Sequence, residues 1–96
     1  MDLGTKIKQI RKQKRLTQDA FAKTCGITQT YLSQIENNIK EPNLATLKNI
    51  SEVLNVPLPI LFFLSMDDND VDPKKREAFK LVNPSINSLV NEFFTV

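Results

Sequence analysis

The sequence predicts an all-α fold: a headpiece of five short helices followed by a short helical extension at the C-terminal end. Three observations predict it. Apolar residues recur at spacings of three and four through most of the chain, as one buried face of a helix requires. Residues that end helices punctuate those runs at Gly26, at Asn37-Asn38 and at Pro42, and Asp72-Pro73 suits the N-cap and first position of a further helix. Short polar residues suited to capping helix N-termini, Thr17, Thr28 and Asn43, stand just ahead of the runs.

The first helix is predicted from Leu3 to Lys14, with Leu3, Ile7 and Ile10 inward and its lysines and arginines outward. Leu16 packs beneath the turn that follows. Helices two and three are expected at about Gln18 to Thr24 and Gln29 to Asn37, with Phe21, Ala22, Cys25, Ile27, Leu32 and Ile35 as their shared apolar face. Gly26 lies between them, where the chain must leave a helix through a left-handed conformation that strains other residues. Asn37 to Pro42 reads as a loop. Asn43 then caps a fourth helix whose Leu44, Leu47, Ile50, Val53 and Leu54 form a buried stripe. Pro59 suits the first turn of a fifth helix, where its missing N–H costs little.

This reading divides the chain into a headpiece at residues 1–65, an acidic linker at 66–73 and a helical extension at 74–96. In the extension, Phe79, Val82, Ile86, Leu89 and Phe93 are spaced 3, 4, 3, 4. Pro84 interrupts that stripe. Either one kinked helix loses the bond to the Lys80 carbonyl, or a second helix starts with Asn83 as its cap; two helices are the preferred expectation. Helix five carries Ile60, Leu61, Phe62, Phe63 and Leu64 in succession, apolar all round, and so needs a cover. The extension can supply it within one chain, or a second copy can. The candidates for a dimer interface are Leu61, Phe62, Phe63, Phe79, Ile86, Leu89 and Phe93.

Composition narrows the function classes. At 96 residues the chain has room for one domain with a small core, leaving little for a separate ligand-binding domain. The longest apolar run, Val56 to Met66, is 11 residues and holds two prolines, short of the ~20 needed to cross a bilayer. No membrane contact is expected. The start of the chain lacks the apolar segment of a signal peptide, so the expected compartment is the cytoplasm. One Cys allows no internal disulfide, and the absence of His removes the commonest zinc ligand, so no metal and no cofactor are expected. Cys25 fits a small buried apolar position better than a redox role. An enzyme is disfavoured, since the sequence has no paired carboxylates set for a pocket and no Gly-rich phosphate loop. Net charge is +2, unevenly spread: residues 1–64 carry nine Lys or Arg against five acids, and residues 65–96 carry four against six. A basic headpiece suits contact with phosphates.

The stretch TQDAFAKTCGITQTYLSQIEN at 17–37 resembles the helix-turn-helix of the phage repressor and Cro family, also called the xenobiotic-response-element (XRE) family. The likeness extends upstream through LGTKIKQIRKQKRLTQ and downstream through NNIKEPNLATLKNISEVLNVPLPILF, about two thirds of the chain. It implies a lambda-repressor-like domain that binds double-stranded DNA as a small transcriptional regulator, with a homodimer as the usual assembly. The start of helix three would enter the major groove. There Gln29 can donate to and accept from an adenine edge, and Thr30 can offer its hydroxyl or methyl to a neighbouring base. Ser33 and Gln34 share that face one turn on. By resemblance, Gln18, Asn37 and Lys40 stand at phosphate-clamping positions; Thr28 is a further phosphate candidate, and Tyr31 can reach a phosphate while its ring leans on the core. The resemblance also implies a partly buried salt bridge between Arg11 and Glu36. The rival reading is a protein-interaction module, an antitoxin-like or antirepressor-like partner that uses the extension to bind another protein.

Overall fold

In the computed structural model, which describes residues 1–94, the chain is all-α, with helices α1 (Leu3–Gln13), α2 (Gln18–Cys25), α3 (Gln29–Glu36), α4 (Leu44–Leu54), α5 (Leu58–Ser65) and α6 (Arg76–Phe94). Two short 3-10 turns, Asp68–Asp70 and Pro73–Lys75, join α5 to α6. The capping residues do the work their side chains suit. Thr17 accepts from the Ala20 amide at 3.2 Å, Thr28 from Tyr31 at 3.0 Å and Asn43 from Thr46 at 2.8 Å, each satisfying an N–H that has no partner within its helix. Gly26 ends α2 with φ at +74°, in the left-handed region. Arg15, Asn38 and Asn55 make the other left-handed turns, at the ends of α1, α3 and α4.

The core lies where α1, α2, α3, α4 and α5 converge. Ile7, Phe21, Leu32, Ile35, Ile50, Leu54 and Leu61 are all buried there, and each comes from a position on the inner stripe of its helix. Close approach of α1 to α3 depends on Gly4, since a Cβ there would overlap the Ile35 carbonyl oxygen and the Asn38 side chain. Asn38 fastens the same junction, accepting from the Gly4 amide at 3.1 Å and donating to Asp2 at 2.7 Å. Hydrogen bonds from Thr5 and from Asn38 hold the Asp2 carboxyl below the usual carboxylate range.

Three expectations need correction. Leu44 is 57% exposed, because as the first residue of α4 it precedes the turn that faces the core. Leu61 is fully buried in its own chain's core, so it has no surface to offer a second copy; Phe62 packs on the same core and Phe63 is half-buried. The third concerns the extension. A single α6 of 19 residues runs through Pro84 in place of two helices, and Asn83 caps nothing. Pro84 and Lys80 both lie on exposed positions, so the Lys80 carbonyl that loses its helical partner can turn to water.

The acidic segment is folded. Asp67 and Asp70 cap each other's backbone, Lys80 reaches Asp68 at 3.4 Å, and Arg76 donates to the carbonyls of Asp68 and Val71. The Met1 ammonium lies 3.0 Å from Asp70, and the Asp2 amide donates to the Ser65 carbonyl, so the first residues and the connector are clasped together. From that clasp α6 runs along the headpiece, with Val90 and Phe94 packed against the core. The side-chain oxygens of Asn83 and Asn87 are buried on this inner side without a hydrogen-bond partner. No single helix among the described residues is long and apolar enough to cross a membrane.

Candidate nucleic-acid interface

The site begins in the core, with two opposite charges that the headpiece buries. Arg11 on α1 and Glu36 at the end of α3 are 6% and 3% exposed. They meet as a two-pronged pair: Arg11 Nε donates to Glu36 Oε2 at 2.7 Å and Nη2 to Oε1 at 3.0 Å. Arg11 Nη1 uses its remaining reach on the Leu16 carbonyl, 2.8 Å away in the turn before α2. One guanidinium therefore ties α1, α3 and the approach to α2. An unpaired charge at this depth would be costly to bury, so the pair fixes the rotation and height of α3 against its scaffold.

From Glu36 the network runs outward. Gln18, the first residue of α2, donates its amide nitrogen to Glu36 Oε1 at 3.2 Å. Gln29, the first residue of α3, donates in turn to Gln18 Oε1 at 3.4 Å. The residue with the best chemistry for reading a base is thus connected to the buried salt bridge through one intervening amide. A carboxylate only accepts, so Glu36 requires the NH2 end of Gln18, which leaves the Gln18 oxygen for Gln29.

The remaining expected site residues lie on or next to α3. Gln29, Thr30 and Thr28 are exposed; Ser33 and Gln34 are half-buried one turn along. Tyr31 is half-buried with its ring against the core. Asn37 and Lys40 are exposed beyond the end of α3, where Asn37 donates its side-chain amide to the Ser33 carbonyl at 2.9 Å. The Gln34 carbonyl accepts from the backbone of Ile39 and Lys40, which turns the loop tightly back beside the helix. Gln18 stands half-buried at the opposite end of the same face, committed to Glu36 and Gln29.

Two features were not read from the sequence. The Arg11–Glu36 pair and the separate roles of Gln18 and Gln29 were expected, but the hydrogen bonds through Gln18 that join the four into one continuous chain link residues far apart in sequence and were not. Ile39, 70% exposed in the loop after α3, is an apolar side chain among polar ones; its isolation between Asn38 and Lys40 was the available clue. Elsewhere, Cys25 is buried and desolvation pushes its thiol up to about 11, so it stays protonated and unreactive at neutral pH. A cleft of about 640 Å³ lies between the start of α1, the loop from α3 to α4, and Phe62. Among the described residues no cluster of His, Cys, Asp and Glu is arranged to hold a metal ion.

Comparison with known proteins agrees with this geometry. A helix-turn-helix family model matches residues 7–61, more than half of the chain and all of α2 and α3. The chain is 44% identical over 59 residues to a 10 kDa protein of the ImmF control region of Bacillus phage phi105, covering 62% of this chain and 66% of that protein. It is 44% identical over 77 residues to the uncharacterized HTH-type transcriptional regulator YqaE of Bacillus subtilis, covering 80% of this chain and 64% of YqaE. The immunity repressor protein of phage phi105 is 36% identical over 56 residues, covering 58% of this chain and 39% of the repressor. The chain thus spans less than two thirds of the length of each of these relatives. No solved structure gives a significant match. Two capped helices at a left-handed Gly turn, held by a buried ion pair and matched over residues 7–61, place the chain in the helix-turn-helix family, with a DNA-binding domain related to those of several transcriptional regulators.

Proposed function

We propose that the chain binds double-stranded DNA sequence-specifically as a small cytoplasmic transcriptional regulator of the phage repressor (XRE) type, acting as a repressor and as a homodimer on a palindromic operator. The observation that carries this reading is the exposed start of α3, where Gln29 and Thr30 project beyond a helix locked by the buried Arg11–Glu36 pair. In B-DNA the major groove admits such a helix, and its first residues reach base edges. Gln29 reads an adenine edge by donating and accepting together, Thr30 contacts the neighbouring base, and Ser33 with Gln34 extends the reading by one turn. Gln18, Thr28, Tyr31, Asn37 and Lys40 hold the phosphates on either side, which sets register without reading sequence. The repressor assignment draws support from the name of the phage immunity repressor to which the chain is similar. Two copies on a palindrome would set their α3 helices about 34 Å apart, one turn of the duplex.

Selection of bound duplexes from a random pool tests the reading, with wild type and a Gln29→Ala, Thr30→Ala variant compared at one salt concentration. An enriched inverted repeat that the variant fails to enrich is the expected result. Absence of any enriched sequence with folded wild-type protein would overturn it.

A further inference from the structure

The loop from α3 to α4 carries Lys40 over a cleft. Ile39, Lys40 and Glu41 are all exposed, and the cleft of about 640 Å³ beside them is lined by Ile35, Leu47 and Phe62 from the helices and by Lys40, Glu41 and Pro42 from the loop itself. Backbone bonds fasten this loop to α3 alone. The Asn38 amide donates to the Ile35 carbonyl at 3.0 Å, and the amides of Ile39 and Lys40 both donate to the Gln34 carbonyl, at 2.9 and 3.2 Å. Among the described residues, every hydrogen bond from residues 38–42 to the headpiece beyond α3 comes from one side chain, that of Asn38. We infer that Asn38 is a positioning residue for Lys40, fastening the loop to the start of α1 so that the ammonium is held where a phosphate would meet it. The inference rests on the DNA-binding reading above and adds to it the residue that sets one of its phosphate contacts.

The chemistry of position 38 explains why it is Asn. With φ at +58° the backbone there is left-handed, a conformation that glycine takes most easily and that Asn tolerates. Asn adds an amide with both a donor and an acceptor. Its Oδ1 accepts from the Gly4 amide at 3.1 Å, and its Nδ2 donates to Asp2 Oδ1 at 2.7 Å and to Thr5 Oγ1 at 3.3 Å. The reverse orientation would set an NH2 against an N–H and an oxygen against a carboxylate, so the amide has one orientation here. Its anchor is firm. Asp2 also accepts from the Thr5 amide at 3.2 Å, and its own amide donates to the Ser65 carbonyl at 3.0 Å, which ties the anchor to both α1 and the end of α5. Asn37 is different, since its side chain bonds back to Ser33 within α3 and takes its direction from that helix. Lys40 is therefore the phosphate candidate that depends on Asn38. Asn55 supplies an internal comparison: it makes the same left-handed turn at the end of α4, with φ at +56°, and its side chain is exposed.

The test compares Asn38→Gly with Asn55→Gly in the full chain, on the duplex that wild type selects. Glycine takes the left-handed turn at both positions, so loss of the Asn38 side-chain bonds is what separates the two variants. Asn38→Gly should lose roughly tenfold in affinity per half-site at about 0.1 M salt, the worth of one released counterion, and its log affinity should fall less steeply with log salt by about 1. Asn55→Gly should keep the affinity and slope of wild type. In a Lys40→Ala background Asn38→Gly should cost nothing further, because the group it positions is gone, whereas a merely structural loss would add to that of Lys40→Ala. Asp2→Ser is the second variant: serine still caps the Thr5 amide but is too short to hold Asn38 as well, so it should reproduce the Asn38→Gly losses in a folded chain. Additive losses in the Lys40→Ala background, or wild-type affinity and slope in Asn38→Gly, overturn the inference and leave the DNA reading standing. Wild type that selects no duplex overturns both.

Discussion

Glu36 anchors two kinds of property at once, the stability of the headpiece and the orientation of a surface amide. Its carboxylate takes both prongs of Arg11 and one N–H of Gln18. Replacing it by Ala leaves the Arg11 guanidinium buried with only the Leu16 carbonyl as partner. The expected loss is ~3 to 5 kcal/mol in denaturant unfolding, against ~0 to 1 kcal/mol for a surface ion pair such as Asp19 with Lys23. A loss within the surface range would mean that the pair does not fix α3. Gln18 carries the second property. Because Glu36 turns the Gln18 oxygen toward Gln29, one N–H of Gln29 is used internally while its oxygen and the other N–H stay free. That is the combination an adenine edge takes. Gln18→Met keeps the length of the side chain and removes its polarity, so it should cost less stability than Glu36→Ala, because Glu36 keeps both prongs of Arg11, while relaxing discrimination at the base proposed for Gln29. Up to ~1 to 3 kcal/mol of base preference is at stake in competition binding with single-base operator variants. Unchanged preference would show that Gln29 orients itself.

Local chemistry decides how much of each element is legible in a sequence. Thr17, Thr28, Asn43 and Gly26 were readable because a cap or a left-handed turn is set by residues a few positions apart. The Arg11–Glu36 pair was not derivable from spacing, since α1 and α3 meet only after the core forms; family resemblance supplied it. In α6, periodicity found the apolar stripe but not which side of the helix docks. The extension presents Val82, Ile86, Leu89 and Phe93 to solvent while Val90 and Phe94 reach the core, a choice set by where the connector's clasp aims the helix. Pro84 misled for a related reason: the rule that it breaks a helix counts one lost bond and a clash, while tertiary docking of residues on both sides keeps the helix whole. Pro84→Ala restores the bond to the Lys80 carbonyl and removes the clash, so α6 should gain up to ~3 kcal/mol of helix stability. Slower amide exchange from residue 84 onward would report it. A loss of stability would indicate that Pro84 itself helps Val90 and Phe94 reach the core.

Across the whole molecule, charge is divided so that the headpiece carries a basic excess and the extension an acidic one. Residues 1–64 hold nine Lys or Arg against five acids, whereas residues 65–96 have an acidic excess gathered in the connector. Of the headpiece cations, Arg11 is consumed internally and Lys23 is close to Asp19. Lys40 stands exposed in the loop that the Gln34 carbonyl folds back beside α3, which under the proposed reading puts its ammonium within reach of a phosphate. Phosphate and base contacts then leave separable signatures. Neutralising a phosphate releases a counterion, so each such contact steepens the fall of affinity with salt, whereas a neutral amide on a base edge releases none. Lys40→Ala should weaken binding to operator and unrelated duplex alike and reduce the slope of log affinity against log salt by about 1 per half-site. Gln29→Ala should leave that slope in place and lose ~1 to 3 kcal/mol of preference for the operator. Titrating both variants over a range of salt separates the two. Were Lys40→Ala to keep the full slope, the phosphate clamp would have to be sought among the amides and backbone N–H groups at the starts of α2 and α3, and Lys40 would be left to long-range attraction alone.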